Sequence, residues 1–249
     1  MPEPRSPRSA SGPGATPVTE RTGRAGARQL ALDLPHRPAS GADDFLVAAP
    51  NADAIAWLDR WPDWAAPGLA LHGPEGCGKT HLLRVWQARS GAIPLRAAEL
   101  GSFDLTSFSA APRPVALDDC GARLPEQALL HLYNLLAAAG RHLLMAGREP
   151  PARWGVELPD LSSRLGALPA VRIDPPDDAL LAGLLVKLFA DRQLRIDAAP
   201  VDYLLPRMER SFAAAERLVA RLDAIALQER RAVTVALARE ALQQEGREG

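Results

Sequence analysis

The sequence is short of lysine. Of 29 basic side chains in 249 residues, only Lys79 and Lys187 are lysines, and the other 27 are arginines. Cysteine is nearly absent too. Cys77 and Cys120 are too few for a disulfide-stapled scaffold, and no Cys/His cluster has the spacing of a structural zinc site. No run of about 18 apolar residues is present to cross a membrane as a helix, and the N-terminus lacks an apolar signal region. An excess of positive charge is missing as well: 30 acidic side chains leave a net charge of −1, which argues against a dedicated binder of the nucleic-acid backbone. These absences lead us to expect a soluble, cytoplasmic protein in a reducing compartment.

Large apolar residues are scarce in residues 1–27, where Pro, Ser, Gly, Ala, Thr and Arg dominate. Such a segment cannot bury enough surface to offset its ordering entropy, so a disordered tail is expected. Residues 28–40 follow as a short peptide and linker. Within them Gln29, Leu30, Ala31, Leu32, Asp33 and Leu34 place apolar side chains at alternate positions behind an amide, the pattern of an extended peptide that inserts into a partner's pocket.

From Phe45 the pattern alternates between strand-like and helix-like runs, the mark of an α/β fold with a parallel sheet and helices on both faces. Helices are predicted over 51–61, 79–89 and 125–139. Strands are predicted over 68–72, 114–119, 142–147 and 170–174. At Pro175-Pro176 the alternation stops. Asp177 and Asp178 are placed to cap a helix whose apolar positions Leu180, Leu181, Leu184, Leu185 and Leu188 recur at helical spacing. Further helices are expected over 200–208, 211–228 and 236–244. The anticipated layout is an α/β base over 41–174 and a small helical lid over 175–249.

The chemistry starts at Gly73-Pro74-Glu75-Gly76-Cys77-Gly78-Lys79-Thr80, which matches G-x-x-x-x-G-K-[ST] at every fixed position, with His81 following. Between a strand and a helix, this loop folds its N–H groups into a cradle for phosphate at a helix N-terminus. Lys79 reaches the terminal phosphates, and the Thr80 hydroxyl ligates Mg²⁺. In a chain that prefers arginine almost everywhere, a lysine here marks a site that needs a compact ammonium. The companion site is Val115-Ala116-Leu117-Asp118-Asp119, an apolar run ending in two carboxylates. It offers Asp118 to the metal and Asp119 as a base for the attacking water. ATP or ADP with Mg²⁺ is the expected cofactor set. The five histidines form no metal-spaced pair, and Trp57, Trp61 and Trp64 read as core.

The loop, the Asp-Asp strand, Leu161-Ser162-Ser163-Arg164-Leu165 and the two-part layout together resemble the AAA+ ATPases. Within them the resemblance is to the DnaA-related branch, which holds a replication initiator and shorter Hda-type regulators. It covers residues 28–244. It implies an AAA+ P-loop base followed by an all-helical lid, with Asn51 in the stretch that holds the adenine base. It also implies an arginine finger at Arg164, which acts on a neighbouring subunit's nucleotide. For Gln29, Leu30, Leu32 and Leu34 it implies binding to the β sliding clamp, and as a further partner the DnaA initiator, in a bacterial, replisome-associated setting. The chain ends at Gly249 directly after the lid, where the initiator continues into a DNA-binding domain, so a regulator that stimulates ATP hydrolysis by DnaA and represses re-initiation is expected. Two other roles stay open: a self-sufficient ATPase of the DnaA or helicase-loader kind, and a nucleotide-binding interaction module. Two departures bear on the choice. Ala213 stands where the family has a sensor 2 arginine, with Arg210 and Arg217 on either side, and Arg148 stands where an acidic sensor 1 residue is usual.

Overall fold

The computed structural model describes residues 36–37 and 45–248. The anticipated disordered tail and the 29–34 peptide lie outside the described residues. Strands β1 (His36–Arg37) and β2 (Phe45–Leu46) form a small antiparallel pair.

The base is one five-stranded parallel sheet built from β3 (Gly68–His72), β4 (Ile93–Arg96), β5 (Val115–Cys120), β6 (Leu143–Gly147) and β7 (Ala170–Arg172). Its spatial order is β4-β5-β6-β3-β7, so the strand that precedes the phosphate-type loop lies inside the sheet. Both faces are covered, which is why β3 and β6 read as nearly continuous apolar runs. Alternation along each strand divides the side chains between two cores. Leu69, Leu71, Ala116, Leu144 and Ala146 pack with α1 (Ala52–Asp59) and α2 (Lys79–Ser90). Ala70, Val115, Leu117, Leu143 and Met145 pack on the other face with α3 (Leu105–Ser109), α4 (Glu126–Ala138) and α5 (Pro159–Gly166).

Strand β4 escaped the sequence reading for a physical reason. It is four residues long, contains Pro94 and lies at the sheet edge, where a residue without an N–H does least harm. The short elements β1, β2, α3 and α5 were not among the expected ones either, and the remaining elements match with boundaries shifted by as much as four residues, at the ends of the helix expected over 200–208 and of the last helix. Strand β7 stops at Arg172, although Ile173 N still donates to His72 O at 2.7 Å.

After Pro175-Pro176 come α6 (Asp178–Asp191), α7 (Ala198–Leu204), α8 (Phe212–Glu229) and α9 (Val235–Glu248), wrapped around a third core that includes Leu181, Leu185, Phe189, Leu204, Val219, Leu222 and Leu237. Full burial of each such side chain is worth about 1.5–3 kcal/mol. Asp177 caps α6 by accepting from Leu180 N at 2.8 Å, and Ser211 caps α8 by accepting from Ala214 N at 3.0 Å. Asp178 has a different task from the capping one expected. It is the first helical residue and accepts from Arg210 Nη1 at 2.7 Å, while Arg210 Nη2 reaches Pro176 O at 3.3 Å. Arg210 thus ties the start of the lid to the segment leaving the base.

Candidate functional site

Residues 73–78 join the end of β3 to the start of α2. Gly76 and Gly78 adopt φ of 75° and 98°, the left-handed region in which a side chain is strained. Space is short as well. A Cβ on Gly76 would lie 2.3 Å from the Ser211 Cβ, and one on Gly78 would lie 3.2 Å from the Phe212 ring. The loop is therefore shaped as much by the lid packed on it as by the helix it opens. Helix α2 has no side-chain cap, so its leading N–H groups and the positive end of its dipole meet the loop, an arrangement suited to an anion.

A cleft of about 1020 Å³ opens here. Glu75, Gly76, Gly78, Lys79, Thr80 and His81 line it from the loop and α2, and Asp118 and Asp119 line it from the end of β5. Gly73, Pro74 and Cys77 complete the loop behind that lining. Lys79 Nζ donates to Gly73 O at 2.8 Å and to Pro74 O at 2.6 Å, so the ammonium is held inside its own loop. Thr80 Oγ1 donates to Asp118 Oδ2 at 2.7 Å. The two residues assigned to the metal thus meet, although 38 positions separate them. Asp119 adopts a φ of 62°, and its carboxylate accepts from Arg96 Nη2 at 3.1 Å. Arg148 Nη2 meets Glu75 Oε2 at 2.6 Å, which spans the gap between the end of β6 and the loop.

The lid closes one side of the cleft with Phe212, Ala213 and Glu216. Phe212 N donates to Gly76 O at 3.1 Å, and its ring stacks on His81 with centroids 6.3 Å apart. Ala213 brings no charge. Its neighbours Arg210 and Arg217 are not part of the cleft lining; Arg210 pairs with Asp178 at 2.7 Å and Arg217 with Glu209 at 3.5 Å.

Arg164 is on α5, outside the cleft lining, where Leu161 and Leu165 anchor the helix in the base core. Its guanidinium carbon lies 5.6 Å from the centroid of the Tyr133 ring, and its Nε is buried with no hydrogen-bond partner. No carboxylate pairs with it among the described residues. The Glu126 carboxylate fixes the approach to α5 by accepting from Glu157 N at 2.9 Å and Leu158 N at 2.7 Å.

Several other groups have structural settings. Asn51 is 3% exposed and is not part of the cleft lining; its amide accepts from Ala48 N and donates to Leu46 O, both at 2.9 Å. Trp64 stacks on Trp86 at 5.6 Å and Trp61 meets Trp86 edge-on at 6.0 Å, within the α1 and α2 core. Cys77 and Cys120 belong to the cores on opposite faces of the sheet. Burial pushes both thiols up, with Lys79 opposing the shift at Cys77, so neither is a thiolate. Burial and then the Arg172 cation hold His72 below its ordinary range.

Sequence reasoning missed Arg96, Phe212 and Glu216 as cleft residues. Arg96 comes from the edge strand that was itself missed. Only the Ser211 cap, which fixes where α8 begins, hinted at Phe212.

No family model matches the chain. The chromosomal replication initiator protein DnaA of Thermomicrobium roseum is 26% identical over a 233-residue alignment that spans 81% of this chain and 49% of that protein. The chain is similar to that DnaA over most of its described length. It spans about half the length of the curated relative it matches. Among solved structures, the fold superimposes on domain III of the Thermotoga maritima replication initiation protein DnaA with a TM-score of 0.69 at 16% identity, covering 80% of this chain and 94% of that one. AMPPCP-bound DnaA from Aquifex aeolicus gives a TM-score of 0.59 at 18% identity, with coverage of 82% and 67%.

Proposed function

We propose that the chain is a nucleotide-bound regulator of replication initiation that stimulates ATP hydrolysis by a DnaA-type initiator, supplies Arg164 in trans and is tethered to the sliding clamp by Gln29, Leu30, Leu32 and Leu34. The observation that carries this reading is the state of Arg164. Several other arginines of the chain are held by carboxylates, among them Arg89, Arg96, Arg153 and Arg192. Arg164 has no such partner among the described residues and rests against Tyr133. On docking, no internal ion pair has to be broken before the guanidinium enters a neighbour's site. There it would stabilise charge developing on the transferred phosphoryl group, an effect on the order of 10³- to 10⁵-fold in rate.

The chain's own cleft fits a nucleotide with Mg²⁺. Lys79 supplies an ammonium at the head of α2, and Thr80 with Asp118 supplies two adjoining oxygen donors. A hard cation bound by one or two protein groups together with phosphate oxygens needs no larger donor set. When bound, such an ion neutralises phosphate charge. The role of Lys79 and the loop amides is to hold the phosphates, and that of Phe212 and His81 is to close the loop against the lid. Asp119 is partnered by Arg96, which supports slow turnover in this cleft and a regulatory use of the bound nucleotide.

The test is hydrolysis by a DnaA initiator in the presence of DNA-loaded clamp and this protein. Stimulation by the natural chain and its loss with Arg164→Ala are expected; equal rates would remove the proposal.

A further inference from the structure

Helix α4 grips the arginine-bearing helix at two points. Glu126, in its first turn, accepts from Glu157 N at 2.9 Å and from Leu158 N at 2.7 Å, just ahead of α5. Tyr133, seven residues later on the same face of α4, lies against Arg164, whose guanidinium carbon is 5.6 Å from the ring centroid. Seven residues of α4 span about 10 Å and the six from Leu158 to Arg164 about 9 Å, so the two helices lie side by side and run the same way. We propose that Tyr133 is the positioning residue of Arg164, its ring fixing the direction of the guanidinium before a neighbour docks. The inference rests on the reading of Arg164 as a group that acts in trans.

The position calls for more than packing. The other buried residues of α4 are Leu129, Leu132 and Leu136, and a fourth leucine would have filled the core. Tyr133 is 6% exposed and makes no hydrogen bond among the described residues, so its hydroxyl does not account for it either. What leucine lacks is a ring face, which attracts a cation within about 6 Å of its centroid. Burial pushes the Tyr133 phenol up while Arg164 opposes the shift, so the ring meets the cation as a neutral aromatic. Of the Arg164 nitrogens only Nε is buried without a partner, so the stem of the guanidinium is enclosed and its terminal nitrogens reach solvent. An arginine held at its stem loses less rotamer entropy on entering a neighbour's site, and it arrives in a geometry on which the rate depends steeply. Tyr133 is buried too deeply to touch a partner, so its effect passes through Arg164.

Hydrolysis by a DnaA initiator with DNA-loaded clamp, titrated with the full chain carrying Tyr133→Leu, Tyr133→Met or Tyr133→Phe, tests the idea. Tyr133→Leu and Tyr133→Met are expected to lower the saturating rate on the order of tenfold and to keep the half-saturating concentration within about twofold, whereas Tyr133→Phe keeps the natural rate. A loss of packing alone would reduce the folded fraction, raising the half-saturating concentration at an unaltered saturating rate, and that result overturns the proposal. The Arg164 Nε–H resonance gives a second readout that needs no partner: slow exchange with water is expected in the natural chain and in Tyr133→Phe, and fast exchange in Tyr133→Leu and Tyr133→Met. Equal exchange in all four overturns the proposal while leaving Arg164 as the group that acts in trans. If Arg164→Ala stimulates as well as the natural chain, the reading of Arg164 fails and takes the proposal with it.

Discussion

Replacing Gly76 by alanine probes how tightly the lid is built onto the phosphate-type loop. The residue has a φ of 75°, and a Cβ there would come within 2.3 Å of the Cβ of Ser211, a side chain 3% exposed. Two costs combine. The left-handed backbone disfavours alanine by roughly 1–2 kcal/mol, and overpacking against a buried neighbour adds about 1–3 kcal/mol. A total of about 3 kcal/mol would lower the melting temperature of a chain of this size by roughly 6–12 °C. The two contributions can be separated. Ser211→Gly removes the opposing Cβ, and because glycine substitutes tolerably at a helix cap it should lose only a few tenths of a kcal/mol by itself, about 0.3. Gly76→Ala combined with Ser211→Gly should then recover the overpacking part, a coupling of about 1.5 kcal/mol, and leave the backbone strain. Thermal unfolding of the four proteins measures it. Additivity within about 0.5 kcal/mol would show that the lid does not bear on the loop as described.

Three further outcomes are expected. Glu126→Ala, which leaves Glu157 N and Leu158 N without their acceptor, should destabilise the chain by about 1–3 kcal/mol and loosen the approach to α5, visible as faster amide exchange over 157–166; unchanged exchange there would count against the anchoring role. Burial holds His142 below its ordinary 6.5, and His72 is held low by burial followed by Arg172, so the unfolded chain takes up protons that the folded chain refuses. Stability should therefore fall as pH drops below about 6.5 and level off above it, and His142→Gln should flatten that slope in melting curves; an unaltered slope would contradict the assignment. Binding to immobilised sliding clamp should be lost when Gln29 and Leu32 are both changed to alanine, and retained binding would remove the tether.

The site residues close together in sequence were the most legible. The loop from Gly73 to Thr80 carries its signature within eight residues, and the strand ending in Asp118-Asp119 shows itself by an apolar run cut short by charge. That Thr80 and Asp118 meet follows from β3 and β5 each pairing with β6, an order that the alternation of strands and helices does not fix. What stayed hidden depends on tertiary placement. Pro94 disguised an edge strand and with it Arg96. The pair between Arg148 and Glu75 joins positions 73 residues apart through the register of two strands, and no local pattern records it. The seat of Phe212 on the loop is likewise set by how the lid core orients α8. Asn51 was singled out only through the resemblance, and its buried amide ties the 48–51 turn to Leu46, a contact that no local pattern announced.

The central claim is that Arg164 acts on another subunit's nucleotide. It is tested most directly by the rate of ATP hydrolysis by a DnaA initiator, measured with DNA-loaded clamp and either the natural chain or Arg164→Ala. The account predicts clear stimulation by the natural chain and a fall to the unstimulated rate with the variant, while clamp binding stays unchanged and the melting temperature falls by no more than the contact with Tyr133 is worth, about 0.5–1 kcal/mol or roughly 1–4 °C. Equal stimulation by both proteins would contradict it.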